Sequence, residues 1–180
     1  EEKNHYYEML AGSGKFKKIE GSQMQFFEAW YHSVIREMVD LKGFRKEPEW
    51  ISKRLNPMVA AKDVEASLKL LLQHGLLVKT ANGLKQTDKS VTTEDEIRSI
   101  EVMKYHSNIM GLGLQALNKV PADHRDISSV TFPILKADFP KLKKHLQFIR
   151  KELRSFAAEG QSGDGIVQVN IQLFPLTTGI

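Results

Sequence analysis

Apolar residues recur every three or four positions in the first part of the chain, a spacing that predicts amphipathic helices. The first predicted helix spans residues 23–39. Its apolar positions are Phe27, Trp30, Tyr31, Val34, Ile35 and Met38. With Phe26 added, this aromatic cluster has two interpretations, a platform for stacking bases or a buried core, and the helical spacing favours the core. A short second helix is predicted over residues 48–55, because the proline after Asn56 disfavours helical conformation there.

A third helix and a hairpin follow. The helix is predicted over residues 60–73, and Gly75 occupies the position just past its end, where a left-handed conformation suits glycine. Asn82-Gly83 is a strong turn signal between predicted strands at residues 76–80 and 84–87. Helix, short helix, turn, helix and hairpin is the order of a winged helix-turn-helix domain, whose third helix can enter a major groove.

Beyond residue 90 the predicted elements are longer. Thr93 and Glu96 form a capping box, which predicts a helix over residues 93–119. Gly111 and Gly113 interrupt this helix and favour a bend or the close packing of another element. Strands over residues 127–135 and 166–174 then flank a helix over residues 139–159, which together make a predicted β-α-β unit.

The last predicted strand alternates between apolar and polar side chains. Its apolar face holds Val167, Val169, Ile171 and Leu173, and its polar face holds Gln168, Asn170 and Gln172. Two strands and one helix seldom stand alone, because such a sheet has two open edges and buries little area. Either the preceding helices cover the sheet or a second chain completes it, and we expect a homodimer. The polar face is then a surface for solvent, a ligand or a partner.

The composition is that of an ordinary globular chain. Of its 180 residues, 41% are hydrophobic and 27% charged, which argues against disorder and against a membrane protein. No apolar run approaches the ~20 residues of a transmembrane helix. The chain has no Cys, which excludes disulfides and thiol nucleophiles and favours the reducing cytoplasm. We therefore expect a cytoplasmic protein with no membrane partner.

Positive charge is concentrated in the middle of the chain. Residues 41–90 contain 10 Lys and Arg against 5 Asp and Glu, whereas the numbers are 5 against 7 before them and 11 against 10 after them. A local excess of this kind suits contacts to phosphates. The candidate nucleic-acid-binding residues are Arg45, Lys46, Lys53, Arg54, Lys62, Lys69, Lys79 and Lys85. The start of the third helix, residues 60–66, contains no Arg, Asn or Gln that could read a base edge, and Asp63 and Glu65 in it would repel phosphate.

The motifs do not indicate an enzyme. His124-Arg125-Asp126 opens like a kinase catalytic loop, but Thr131 stands where that loop needs Asn. The six His residues show no zinc-ligand spacing, and no Ser lies in a Gly-x-Ser-x-Gly setting. We expect no catalytic residue, metal or cofactor. The candidates for binding a ligand are Arg125, Gln168, Asn170 and Gln172.

Three phrases carry a resemblance that covers nearly the whole chain: AWYHSVIRE at residues 29–37, HRDISSVT at residues 124–131 and VQVNIQLFPL at residues 167–176. They resemble an uncharacterised bacterial family of conserved hypothetical proteins with a domain of unknown function, abundant in predatory deltaproteobacteria and fibrobacters. Such proteins are commonly described as transcriptional regulators with a separate helix-turn-helix upstream. The resemblance and the missing initiator Met imply the C-terminal part of a longer regulator. The resemblance implies no catalytic or ligand-binding residues for this chain.

We therefore expect an α+β protein: a winged helix-turn-helix followed by a long helix and a β-α-β unit. The predicted divisions are a helical lead-in over residues 1–22, a winged-helix domain over 23–90 and a dimerisation or sensor unit over 91–180. The first hypothesis is a transcriptional-regulator module that contacts the DNA phosphate backbone. The alternative is a ligand- or protein-binding sensor whose winged helix does not bind DNA.

Overall fold

The computed structural model describes residues 17–18, 21–88, 91–92, 100–159 and 162–179. In chain order the elements are β1 (Lys17–Lys18), a 3-10 helix (Gly21–Phe27), α1 (Trp30–Met38), α2 (Pro48–Arg54), α3 (Ala61–Gln73), β2 (Leu77–Thr80), β3 (Gly83–Gln86), β4 (Val91–Thr92), α4 (Ile100–Lys119), 3-10 turns at Ala122–His124 and Lys136–Asp138, and α5 (Phe139–Glu159). β1 pairs with β4 in parallel, and β2 pairs with β3 antiparallel. The protein is thus α+β, with helices and two small sheets.

The chain divides into two compact units. Gly14–Met110 and Gln161–Gln168 belong to the first, and Gly111–Gly160 and Val169–Ile180 belong to the second. Of the helical lead-in predicted over residues 1–22, the structure describes only residues 17–18, which form β1, and residues 21–22, which begin the 3-10 helix. The capping box predicted at Thr93 lies outside the described residues. The three divisions proposed from the sequence stay a prediction.

The core of the first unit forms because α1, α2 and α3 each turn one apolar face inward. Ile35, Ile51, Val64 and Leu71 are all 0% exposed. The aromatic residues before α1 belong to the same core, since Phe26 and Phe27 pack edge to face with ring centroids 5.1 Å apart. The prediction of a buried core rather than a stacking platform is confirmed for these two residues.

The first predicted helix is interrupted. Residues Gly21–Phe27 form a 3-10 helix, and α1 begins only at Trp30. The interruption arises because Ala29 has extended backbone, with φ −134° and ψ 137°, which starts a new helix instead of continuing the old one.

Helix α3 ends in a Schellman motif that directs the chain into the hairpin. The amide of Leu76 donates to the carbonyl of Leu71 at 2.9 Å, and the amide of Gly75 donates to Leu72 at 3.1 Å. Gly75 has φ of 62°, the left-handed conformation that this motif requires. Leu71 and Leu76 are both fully buried, which supplies the apolar contact that accompanies the motif.

Replacing Gly75 is expected to destabilise the first unit through its backbone alone. No atom lies within 4 Å of the place a Cβ would take, so the cost is conformational. We expect Gly75→Ala to lower the free energy of unfolding by about 1 kcal/mol, and Gly75→Asn to lower it less, because Asn tolerates this conformation better. Urea denaturation measures both changes, and equal stability of all three proteins would contradict the motif.

The first half of α4, up to Met110, belongs to the first unit and packs on its core. Val102 is 4% exposed, and the Tyr105 ring meets the Phe27 ring at a centroid distance of 5.4 Å. The Tyr105 hydroxyl lies 3.2 Å from the Ser33 hydroxyl of α1. These contacts fix which face of α4 points inward.

The second unit contains α5, as predicted, but the two predicted strands of the β-α-β unit are wrong. Neither residues 127–135 nor residues 166–174 form a strand. Alternation specifies only where side chains point, whereas a strand also needs a partner for its backbone. Pro133 further weakens the first segment, because it has no amide hydrogen. None of the side chains described in this unit is buried as deeply as the first unit's core.

Within the described part of the chain, no helix is both long enough and apolar enough to cross a membrane.

Candidate nucleic-acid interface

All eight basic residues proposed from the sequence have exposed side chains in the structure. In chain order they lie in the loop before α2, in the last turn of α2, along α3 and on the two strands of the hairpin. They therefore remain accessible to a partner. They do not all share one face, because the hairpin places Lys79 and Lys85 on opposite faces.

An open cleft of about 790 Å³ lies between the loop before α2 and the hairpin turn. Arg45, Lys46 and Glu47 line it from the loop, and Asn82 and Gly83 line it from the turn. The remaining lining is mostly apolar: Val39, Leu41, Phe44, Ala81 and Leu84. The cleft thus brings two of the predicted cations to the tip of the hairpin, with one carboxylate beside them.

An aromatic stack holds this loop against α2. The rings of Phe44 and Trp50 meet edge to face, with centroids 5.8 Å apart. The guanidinium of Arg54 lies 4.4 Å above the Trp50 ring, a cation–π contact. The stack joins the segment that holds Arg45 to the helix that holds Arg54, and it orders the Arg54 side chain along α2.

The hairpin register separates its two lysines. Leu77 pairs with Gln86, and both are buried on the inward face. Val78 pairs with Lys85 on the opposite face, whereas Lys79 pairs with Leu84 on the face of Leu77. Because side chains alternate along a strand, Lys79 and Lys85 point to opposite faces. A single flat partner contacts one of these lysines and not both.

Helix α3 presents a mixed surface. Lys62, Glu65 and Lys69 are exposed, and helical spacing places all three on its outer face. The carboxylate of Asp63 lies closer to α1: burial raises the pKa of Tyr31, and the negative charge of Asp63 raises it further. The outer face of α3 therefore offers two cations and one anion, which suits phosphate contacts better than base reading.

A polar cluster ties the hairpin to α1. The guanidinium of Arg36 is fully buried, and it donates to the Glu37 carboxylate and to the Asp88 carbonyl. The Gln86 amide donates to the Arg36 carbonyl at 3.1 Å and to the Glu37 carboxylate at 3.0 Å. Because Gln86 belongs to β3, these bonds hold the hairpin in place against α1.

A second buried polar contact joins α1 to α3. Nδ1 of His32 lies 2.7 Å from the Ser67 hydroxyl. A base beside a hydroxyl is a catalytic geometry in some enzymes, but Ser67 is 0% exposed and neither residue lines the cleft. Burial lowers the pKa of His32 to about 4, so the imidazole is neutral at pH 7. The pair is a hydrogen bond of the core.

The candidates for ligand binding lie elsewhere. Arg125 donates to the carbonyls of Leu117 and Val120 at 2.8 and 2.7 Å, so its guanidinium caps the end of α4. The amide nitrogen of Asn170 lies 3.2 Å from the place of a Cβ on Gly113. Gln172 is exposed in the same unit, and Gln168 is exposed in the first unit. The described residues contain no group of three or more His, Asp or Glu placed to hold a metal ion.

Sequence reasoning missed the Arg36 cluster and the role of Asn82 at the cleft. Arg36 and Glu37 are adjacent in the sequence, and adjacent residues of a helix do not share a face. No spacing pattern in the sequence therefore predicts that they pair. Asn82 was identified only as a turn former. Its position in the turn could have identified it as a candidate contact residue, because a side chain at a hairpin tip is exposed to any partner that contacts the hairpin.

Comparison with known proteins gives one match. Residues 10–176 match the family described as "Domain of unknown function (DUF4423)". No curated protein and no solved structure is significantly similar to the chain. Because the match spans most of the 180 residues, the protein belongs to the DUF4423 domain family.

Proposed function

We propose that this chain is a module of a transcriptional regulator, and that its first unit is a winged helix that contacts the phosphate backbone of DNA. The observation that carries the proposal is the cleft, in which Arg45 and Lys46 lie next to the hairpin turn. Loop cations beside a wing tip suit a phosphate backbone that runs past the wing.

The order of elements supports the winged-helix part of the proposal. Helices α1, α2 and α3 are followed directly by the hairpin, with the Schellman turn at Gly75 between α3 and β2. In a winged helix the third helix and the wing are the parts that meet DNA. Both parts hold exposed lysines here, Lys62 and Lys69 on α3 and Lys85 on β3.

The mixed outer face of α3 indicates contacts that are mainly independent of base sequence. We expect Arg45→Ala with Lys46→Ala to weaken binding to a mixed-sequence duplex and to flatten its dependence on salt. Each lost phosphate contact reduces the slope of log K against log salt by about 0.9, so the double variant reduces it by about 1.8. Fluorescence anisotropy titrations at several salt concentrations measure this slope.

The matched control is Lys136→Ala with Lys144→Ala, which removes the same charge from exposed positions outside the first unit. We expect the control to leave the slope close to that of the unaltered protein. Equal slopes for the two double variants would show that net charge, and not the cleft, determines binding. Absence of binding at low salt would overturn the DNA proposal.

The alternative function is a sensor whose winged helix binds a ligand or a protein and no DNA. Glu47 in the cleft favours this alternative, as does the placement of Lys79 and Lys85 on opposite faces of the hairpin. The same titration separates the two functions, because a sensor of this kind shows no salt-dependent affinity for a duplex. The cytoplasmic location and the homodimer expected from the sequence stay predictions.

A further inference from the structure

The cleft beside the hairpin turn has an apolar floor that belongs to the core of the first unit. Val39 and Leu41 are 9% and 8% exposed, and Phe44 and Leu84 pack against the same core from its edge. The volume of about 790 Å³ lies within the range of ~300–1,000 Å³ that is usual for small-molecule sites. A DNA phosphate needs only the cations at the rim, so the apolar floor remains available to a smaller ligand.

The hairpin register adds a third cation to the cleft. Lys79 pairs with Leu84, so their side chains lie on the same face of the hairpin with Cβ atoms about 5 Å apart. Because Leu84 lines the cleft, the exposed Lys79 stands at its edge, whereas Lys85 points to the opposite face. The cleft therefore has Arg45 and Lys46 on the loop side and Lys79 on the hairpin side.

Two further polar groups at the rim narrow the chemistry of the ligand. The Glu47 carboxylate accepts hydrogen bonds, as carboxylates do from ribose hydroxyls in dinucleotide-binding proteins. The Asn82 amide both donates and accepts, which matches the edge of an adenine base. Three cations and one carboxylate leave a net charge of about +2, which a phosphate monoester of about −1.5 to −2 balances.

We propose that the cleft binds a nucleoside monophosphate. Arg45, Lys46 and Lys79 bind the phosphate, and the base lies on the apolar floor against Phe44. The Phe44 ring meets the Trp50 ring edge to face at a centroid distance of 5.8 Å, which orders the stacking surface before the ligand arrives. This ligand uses the floor as well as the charges of the cleft.

The ligand and DNA compete, because the same two loop cations contact the phosphate of either one. Binding of the nucleotide does not depend on the proposed contact with DNA, whereas its competition with DNA rests on that proposed function. The nucleotide then acts as an effector that releases the regulator from DNA. One cleft thereby serves both DNA contact and ligand sensing.

Equilibrium dialysis of the whole chain against radiolabelled adenosine monophosphate tests the site directly. We expect saturable binding. Adenosine, which lacks the phosphate, and ribose 5-phosphate, which lacks the base, are expected to compete at least about tenfold less well than unlabelled adenosine monophosphate. Absence of saturable binding at about 10 mM nucleotide, or binding no tighter than that of inorganic phosphate, would overturn the proposal.

Charge variants locate the phosphate. We expect Arg45→Ala with Lys46→Ala to raise the dissociation constant of adenosine monophosphate at least about tenfold, and Lys79→Ala to raise it about threefold. Lys85→Ala is the matched control, since it removes the same charge from the other face of the same hairpin, and we expect no change. Equal effects of the two hairpin variants, or an unchanged affinity in the loop variant, would overturn the site. Circular dichroism checks that each variant is folded.

Phe44→Leu tests the stacking of the base without removing charge. Leucine keeps an apolar side chain at the edge of the core but has no ring. We expect the affinity for adenosine monophosphate to fall about fivefold and the affinity for ribose 5-phosphate to stay unchanged. An equal loss for both ligands would overturn the placement of the base on Phe44.

Competition is measured by fluorescence anisotropy of a labelled mixed-sequence duplex at constant ionic strength. Adenosine monophosphate at about ten times its dissociation constant is expected to raise the apparent dissociation constant of DNA about tenfold, and adenosine is the control without effect. If the chain binds the nucleotide but no DNA, the proposed function is overturned and the nucleotide site is not. If it binds both without competition, the effector role is overturned.

Discussion

Replacing Glu37 with Ala is expected to destabilise the protein by about 3 kcal/mol, more than replacing the deeper Arg36 with Met. The side chain of Arg36 is 0% exposed, and that of Glu37 is 45% exposed. Glu37→Ala leaves a guanidinium charge in the core without the carboxylate that faces it, and a buried charge without its partner is costly. Arg36→Met removes that charge and fills the space, and the Glu37 carboxylate can then turn to water. We expect this second variant to cost about 1–2 kcal/mol.

Urea denaturation followed by circular dichroism measures both changes, provided that the m-value stays constant. Glu37→Gln is an informative intermediate, because it keeps hydrogen-bonding atoms near Arg36 and Gln86 but removes the charge. Glu65→Ala on the outer face of α3 is the matched control, expected to change stability by less than about 0.5 kcal/mol. If Glu37→Ala is no more destabilising than this control, the cluster does not stabilise the first unit.

We expect a fall in pH to destabilise the protein through His32, in addition to the effect of pH on other titratable groups. Burial lowers the pKa of His32 to about 4, from a usual value of 6.5. Between these two pH values the unfolded chain binds a proton that the folded protein does not. Stability from this residue is therefore complete above pH 6.5 and is lost as the pH falls towards 4. The expected loss is about 3 kcal/mol, since each unit of pKa difference corresponds to about 1.4 kcal/mol.

The free energy of unfolding at pH 7 and at pH 4 measures this effect. We expect His32→Gln to be less dependent on pH than the unaltered protein, because Gln keeps a polar atom for Ser67 and does not titrate. His124→Gln is the control, since the His124 side chain is 72% exposed, and we expect it to leave the pH dependence unchanged. If the His32→Gln variant and the unaltered protein have the same pH dependence of stability, the loss of stability in acid does not come from His32.

The elements that the sequence predicted correctly are those with their own start and stop signals. Helix α2 begins at Pro48 and ends before Asn56-Pro57, α3 ends at the predicted glycine turn, and the hairpin turns at Asn82-Gly83. Proline and glycine act through the backbone of a few neighbouring residues, so their effect is local. The strands predicted over residues 127–135 and 166–174 had no such local signal for pairing, although the second of them alternates between apolar and polar side chains. They failed because a strand depends on a partner that alternation does not identify.

The sequence by itself determined the helical stripes, the turn residues, the excess of positive charge in residues 41–90 and the membership of the DUF4423 family. Only the tertiary structure decided how those charges are arranged: Arg45 and Lys46 together at the cleft, and Lys79 and Lys85 on opposite faces of the hairpin. It also decided that Arg36 lies in the core. Spacing along the chain specifies which side of an element a residue takes, whereas burial depends on which elements pack against that side.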